Sequence, residues 1–488
     1  MTLLLSDPSL LKTAAYIDGQ WVQDESLGSF AVRNPANGDL LANVADLGGP
    51  HTLAAIDAAD RAMTAWRART GKERGQLLRR WFDLVMANQE DLAVLMTAEQ
   101  GKVIAESRLE IAYGASFIEW FAEEAKRIYG DVIPGAPDRR LVVVKQPVGV
   151  VGAITPWNFP TAMITRKAGP ALAAGCAIVI KPAAETPLSA LALAELADRA
   201  GIPAGLFNVV TGTDAKAIGA AMTDSPTVRK LTFTGSTPVG KQLLRQSADT
   251  VKKVSMELGG NAPILIFDDA DLDQAVAGAL ASKYRNAGQT CVCVNRVLVQ
   301  DTIYDAFLEK FIAAVASFRL GDGMDENNTL GPLVSSKAAN DVHSMVQDAV
   351  ADGARVALGG GPAQNLGECF YQPTVLVDVR TDMRVFREEI FGPVAPVFRF
   401  RDEAEAIAMA NDTEFGLASY VYTRDIGRVW RVSEGIDYGM VGVNEVGISS
   451  DDIPIGGMKE SGLGRDGSKY GIDDYIETKY ICMGGLDA

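Results

Sequence analysis

Histidine is nearly missing from this chain: its 488 residues include two, His51 and His343. His51 follows Gly-Gly-Pro in what reads as a polar loop, and His343 falls in an amphipathic helical stretch, so both read as surface residues. A Ser-His-Asp hydrolase or a histidine-held zinc site is therefore not expected, and no metal is. Cysteine is scarce too. The five, at positions 176, 291, 293, 369 and 482, are odd in number and irregularly spaced, which argues against a disulfide scaffold and for a reducing cytoplasm. No apolar run approaches the ~20 residues of a bilayer span. The first residues lack a basic segment followed by an apolar core, so no secretory leader is expected. Basic residues never gather into a run, and 46 of them stand against 62 acidic ones, a net charge of −16. Neither nucleic acid nor an anionic membrane is an expected partner. The acidic excess serves solubility, and a small anionic ligand would need a local cationic pocket.

What is present is a long, ordinary globular composition. The length predicts two or more domains, and 48% apolar with 22% charged residues is typical of folded chains. The 48 glycines come in short clusters, as tight turns and close backbone approaches require. Residues 52–124 read as helices. From 141 the texture changes to strand, helix, strand, helix: strands at 141–145, 148–154, 177–180, 207–210 and 230–233, helices at 168–174, 187–200 and 215–222. Short connections between such elements predict right-handed crossovers in a parallel sheet, so residues 141–256 read as the core of a doubly wound, Rossmann-type α/β domain. A second alternating block runs from 262 to about 398, with helices at 271–285 and 303–317. Two segments fit neither block, 127–140 and the tail 475–482, and both look like strands seeking a partner.

Several short segments carry chemistry. Gly288-Gln-Thr-Cys-Val-Cys293 follows a helical stretch, a setting where nearby backbone amides can stabilise an exposed thiolate at Cys291. Alone it is more often a buried small hydrophobe than a nucleophile. Glu257-Leu-Gly-Gly-Asn261 sets a carboxylate at a strand end, either a base or a turn residue. Thr155-Pro-Trp-Asn-Phe-Pro160 and Lys181-Pro lie just past two predicted strand ends, where ligands bind in open α/β sheets. Phe233-Thr-Gly-Ser236 opens a helix whose amides could receive a pyrophosphate, although no G-x-G-x-x-G accompanies it.

Taken in order, these segments with Glu388-Glu-Ile-Phe-Gly-Pro393 and Asn444 resemble the aldehyde dehydrogenase superfamily over nearly the whole chain. The resemblance implies a nucleophile at Cys291, an oxyanion site from Asn158 and the Cys291 amide, a general base at Glu257, and proton traffic at Lys167. It implies NAD or NADP held near Thr155, Trp157, Lys181, Ala184, Gly235, Ser236, Glu389 and Phe391. It also implies a cofactor domain (1–125 and 143–256), a catalytic domain (257–455), and a small β element (126–142 and 470–488) that joins subunits into dimers or tetramers.

Closer similarity points to one branch. Met163-Ile-Thr-Arg166-Lys167, Tyr284-Arg285, Gly447-Ile-Ser-Ser450 and Ser461-Gly-Leu-Gly-Arg-Asp-Gly-Ser-Lys-Tyr-Gly471 resemble succinate-semialdehyde dehydrogenases, in which two arginines and a serine grip the substrate carboxylate. The matching positions are Arg166, Arg285 and Ser449, and a buried arginine pair would offset the negative field. Ile455 stands where that branch usually has Phe, which admits a longer chain such as glutarate semialdehyde. Asp466 replaces a Glu. Ala184 stands where NAD-preferring members often place Glu, with Glu185 one residue late, so NADP is expected to be accepted. Cys293 is a redox candidate: in relatives with the same Cys-Val-Cys, a bridge to the nucleophile has been proposed.

Overall fold

The computed structural model describes residues 3–486. Five strands, Lys253–Glu257, Val228–Thr234, Val150–Ile154, Ile178–Lys181 and Phe207–Val209, pair in parallel in that order. Antiparallel strands extend both edges: Gly462–Leu463 on one side, Ala15–Ile17 and Gln20–Val22 on the other. The central strands are apolar without alternation because helices cover both faces; every residue of Ile178–Lys181 is buried. One covering helix, Ala162–Ala174, is buried along its whole length and stops at Gly175, whose φ of 98° is the left-handed conformation of a helix C-cap.

A second sheet of seven strands follows the order Arg355–Leu358, Thr374–Val377, Val394–Phe400, Val294–Gln300, Ala262–Ile266, Ala418–Tyr422, Met440–Val443. All its pairs are parallel except the first. The second block therefore runs beyond the expected 398, to 443. The third sheet has three strands, Ile476–Met483, Arg140–Pro147 and Asp131–Ile133.

That third sheet corrects one expectation. The 141–145 strand does not belong to the nucleotide-binding-like core. It is the middle of the three-stranded sheet, paired along eight positions with the C-terminal strand. A boundary at 142/143 would cut through it, and the small element extends to Pro147. The two outlying segments at 127–140 and 475–482 do supply strands, as expected. His51 is also corrected: it sits in the first turn of helix Gly49–Arg67, 3.4 Å from Asp24, rather than in a loop. His343 is half-buried on helix Ser336–Ala351, against the Tyr371 hydroxyl. Among the described residues no helix is long and apolar enough to cross a membrane.

Candidate active site

Parallel strands end together, and that brings the first set of candidates to one edge. In register, Lys181 pairs with Ile154, Ile154 with Phe233, and Thr234 with Glu257. The residues that follow or close these strands, Thr155 through Asn158, Gly235-Ser236 and Glu257, thus share the carboxyl end of the sheet. Ser236 is the N-cap of helix Thr237–Ser247, and its side chain makes no capping bond, so the first amides of an eleven-residue helix are left for another acceptor.

Cys291 comes from the other sheet. It lies between helix Leu272–Tyr284 and strand Val294–Gln300, in a loop whose backbone is strained. Asn286, Ala287 and Gly288 have φ of 51°, 54° and 78° in succession, and left-handed Ala is costly. Side chains of the loop and its surroundings hold it. The Asn286 amide donates to the Asn158 carbonyl at 3.0 Å, Gln289 Nε2 donates to the Asn286 carbonyl at 3.0 Å, and the Asn286 N–H donates to Glu106 at 2.9 Å. Gly288 is obligatory: a Cβ there would lie 2.2 Å from the Gly392 carbonyl oxygen.

The two sheets meet around a cavity of about 250 Å³, lined by Trp157, Asn158, Gly235, Ser236, Glu257, Cys291, Glu389 and Phe391 among others. Eight of the sixteen candidates named above are therefore together. Trp157 and Phe391 pack edge to face, ring centroids 5.6 Å apart. Glu389 accepts the Gly260 N–H at 3.1 Å, and burial pushes its carboxyl up to about 7, against that amide and Lys283. Asn158 Nδ2 donates to the Gln289 carbonyl at 3.0 Å, which fixes the amide's orientation, since a carbonyl only accepts. Asn158 Oδ1, Glu257 Oε1 and Thr155 Oγ1 are buried without a partner among the described residues. Three unpaired polar atoms in one region are what a ligand-binding site leaves open.

A tighter space of about 30 Å³ adjoins this cavity on the far side of Cys291 and Glu257. Arg166, Arg285, Ser449 and Ile455 line it, with Tyr113 and Phe159. Arg166 is 4% exposed, and its Nε and Nη2 donate to Asp466 at 3.2 and 2.9 Å. Lys167 is turned to the same carboxylate, 3.2 Å away, and not into the cavity. The expected buried arginine pair is only half present, because Arg285 is exposed. Its guanidinium lies 4.9 Å from the Phe159 ring centroid and makes no ion pair among the described residues. Lys181 and Ala184 do not line either space. Lys181 is buried, with its ammonium on the Pro182 carbonyl, and Ala184 is half-buried beside it.

Burial and the neighbouring charges set the ionisation of these groups. Burial pushes the Cys291 thiol up to about 12; Arg166 opposes this, while Glu389, Glu257 and Cys293 reinforce it. Burial likewise raises the Glu257 carboxyl, helped by the Asp466 charge and opposed by Arg166, Lys167 and Arg465. Asp466, in contrast, stays below its ordinary range: burial opposes ionisation, but Lys167 and Arg166 outweigh it. Cys293 is a buried free thiol whose S–H points to the Gly288 carbonyl at 3.4 Å. Tyr420 Oη donates to the Val292 carbonyl at 2.6 Å, pinning the residue between the two cysteines.

Sequence reasoning left the weight of Asp466 unread, and it missed a buried network behind Asn158. Lys102 donates to the Asn158 carbonyl at 2.7 Å and pairs with Glu110 at 2.5 Å, both side chains 1% exposed. Glu110 in turn accepts the Thr161 N–H at 3.0 Å, at the start of helix Ala162–Ala174. Three charged residues, Lys102, Glu106 and Glu110, recurring every four positions on a helical stretch were the available signal.

A half-buried thiol, a buried carboxyl of raised affinity for protons and a buried amide, lining one cavity at the carboxyl end of a parallel sheet, define a site for covalent chemistry at a cysteine. Residues 21–481 match the aldehyde dehydrogenase family, and the chain belongs to it. It is 60% identical to the glutarate-semialdehyde dehydrogenase of Pseudomonas aeruginosa, over 99% of this chain and 100% of that one. It is 61% identical to the NADP(+) succinate-semialdehyde dehydrogenase GabD of Escherichia coli, over 98% of this chain and 99% of the other. A crystal structure of an E. coli NADP-dependent enzyme superimposes with a TM-score of 0.97 at 60% identity, covering 99% of this chain and 100% of that one.

Proposed function

We propose that this enzyme oxidises a short ω-carboxy aldehyde, succinate semialdehyde before others, to the dicarboxylate, using NADP or NAD. The observation that carries the reading is that Arg166, Arg285 and Ser449 line the same space as Cys291 and Glu257. Arg166 spends Nε and Nη2 on Asp466 and keeps Nη1 free of hydrogen bonds among the described residues, so part of its fork remains for a substrate carboxylate. The similarity to enzymes named for succinate and glutarate semialdehyde supports the same substrate class.

In this reading the Cys291 sulfur, once deprotonated, adds to the aldehyde carbon and gives a thiohemiacetal. The Asn158 amide and the Cys291 N–H hold its oxygen, donors worth about 3 kcal/mol each in comparable sites. The uncapped helix at Ser236, the Glu389 carboxylate and the Trp157–Phe391 pair fit a dinucleotide, with the unpaired polar atoms of the cavity nearby. When bound, that group supplies the hydride acceptor that makes the reaction an oxidation. The product on Cys291 is a thioester. Glu257 then takes a proton from water as the oxygen adds to the acyl carbon, and the C–S bond breaks to return the thiolate. Ala184 offers no carboxylate to repel a 2′-phosphate, which supports acceptance of NADP. A kcat/KM for NAD above that for NADP by about 100-fold would exclude this.

The experiment is a panel of C3–C6 ω-carboxy and uncharged aldehydes assayed with each cofactor, on the wild type and on Arg285→Ala. The expected result is a KM for succinate semialdehyde raised at least ~10-fold, with hexanal little changed. Equal losses on both substrates would remove Arg285 from carboxylate binding.

A further inference from the structure

We propose that the cleft on the outer side of Arg285 is a second binding site, one that takes an amphipathic monocarboxylate: a single carboxylate on an alkyl or aryl body. The cleft is about 400 Å³, within the range of small-ligand sites. Helix Leu272–Tyr284 faces it with Ala277, Leu280, Ala281 and Tyr284, spaced i, i+3, i+4, i+7 and so forming one stripe. Such stripes ordinarily pack on a core. Here Ala277 and Ala281 are exposed and Leu280 is half-buried. Across the cleft stands Leu109, 72% exposed on helix Ile104–Glu124. Phe318 lies behind, its ring 5.0 Å from that of Tyr284.

Charge selects the occupant. Arg285 is exposed at the inner end and has no ion pair among the described residues, an unsatisfied fork in a protein of net charge −16. Glu106, which also lines the cleft, is held to the Asn286 N–H, and burial raises its carboxyl above the usual range, so it opposes an anion weakly. Lys102 also lines the cleft, but its charge is matched by Glu110, so Arg285 is the cation left for an anion. A carboxylate would meet Arg285 while its apolar body lay along the helix stripe. Arg285 and Phe159 line both this cleft and the inner space at Cys291. An occupant outside would draw the guanidinium away from the inner space. That consequence rests on the carboxylate role of Arg285 proposed above, whereas binding in the cleft does not.

Calorimetric titration of the whole enzyme with octanoate, and separately with octanol, tests the site. Leu280→Asp and Ala281→Asp place a carboxylate on the stripe without touching the catalytic or substrate residues, and exposed Ala281 accepts the change without disturbing the core. The expected result is octanoate binding to the wild type, weakened at least ~10-fold in both variants and for octanol, with kcat/KM for hexanal unchanged. Because both ligands would draw on Arg285, saturating succinate should weaken octanoate binding without changing its dependence on Ala281. No binding, or equal binding to wild type and Ala281→Asp, would each overturn the proposal. None of these outcomes depends on which aldehyde the enzyme prefers.

Discussion

Cys291 and Glu257 illustrate how burial works against the charges that the chemistry needs. Both are more reluctant to ionise than in water, the thiol at about 12 and the carboxyl above its usual 4.5. Each must act deprotonated, so the sign is the same for both. kcat/KM should rise with pH from about 6 to about 9, and a stopped-flow pH profile checks this; a falling alkaline limb over that window would contradict the assignment. Glu257 also carries a stability consequence. A carboxyl whose folded pKa exceeds its unfolded value binds more protons in the folded state, so its contribution to stability falls as pH climbs from the ordinary carboxyl value of 4.5 toward the raised folded one. Glu257→Gln removes the ionisable group. The variant should lose turnover by ~10²-fold or more while the acyl-enzyme accumulates, detectable by intact-mass spectrometry. Near neutral pH its melting temperature should exceed that of the wild type by roughly 1–3 °C, and equal or lower melting would mean that the carboxylate is not destabilising.

At the scale of elements, the parallel core was legible because β-branched runs and helices alternate at short spacing. The strand ends that carry Asn158, Ser236 and Glu257 could therefore be placed from pattern alone. The 140–147 strand could not. Its Leu-Val-Val-Val run looks the same in a central strand as in a small separate sheet, and the choice is made by pairing with Ile476–Met483, far away in the chain. The exposure of Arg285 and the task of Asp466 were hidden for the same reason, since the latter bonds Arg166 across 300 positions. The two departures noted from the branch pattern prove to be neighbours. Ile455 and Asp466 exchange backbone hydrogen bonds of 2.8 Å, so the residue bordering the substrate space and the residue holding Arg166 and Lys167 sit on one bridge. Ile455 is 2% exposed and packed. Ile455→Phe enlarges a side chain that lines a space of about 30 Å³, and overpacking there acts on chain length. The ratio of kcat/KM for the five-carbon to the four-carbon carboxy aldehyde should fall ~10-fold or more. An unchanged ratio would separate this position from substrate length.

At the scale of the whole molecule, the three-stranded sheet is the part that does not account for itself. Two of its strands are apolar yet open: Val132 is 72% exposed, Ile133 45%, Tyr480 58% and Met483 47%. Register aligns Val132, Val142 and Ile481 in one cross-strand row and Ile133, Leu141 and Cys482 in the next, on opposite faces. A small sheet with apolar residues on both faces and little packed on either is not stable by its own burial. Its outer strands also present free edges that invite another chain. Association of identical subunits through this sheet satisfies both conditions, and it suits the dimer or tetramer expected from the sequence. Light scattering after size exclusion should give a wild-type mass at least twice the 51.9 kDa of one chain. Val132→Lys with Ile481→Lys puts two like charges on one row of the sheet, where they repel each other as well as any partner. That double variant should shift toward the monomer, while its far-ultraviolet circular dichroism stays that of the folded protein because the sheets bearing Cys291 and Glu257 are untouched. A wild type that runs as a monomer would leave this sheet without a partner, and a double variant that keeps the wild-type mass would move the interface elsewhere on the molecule.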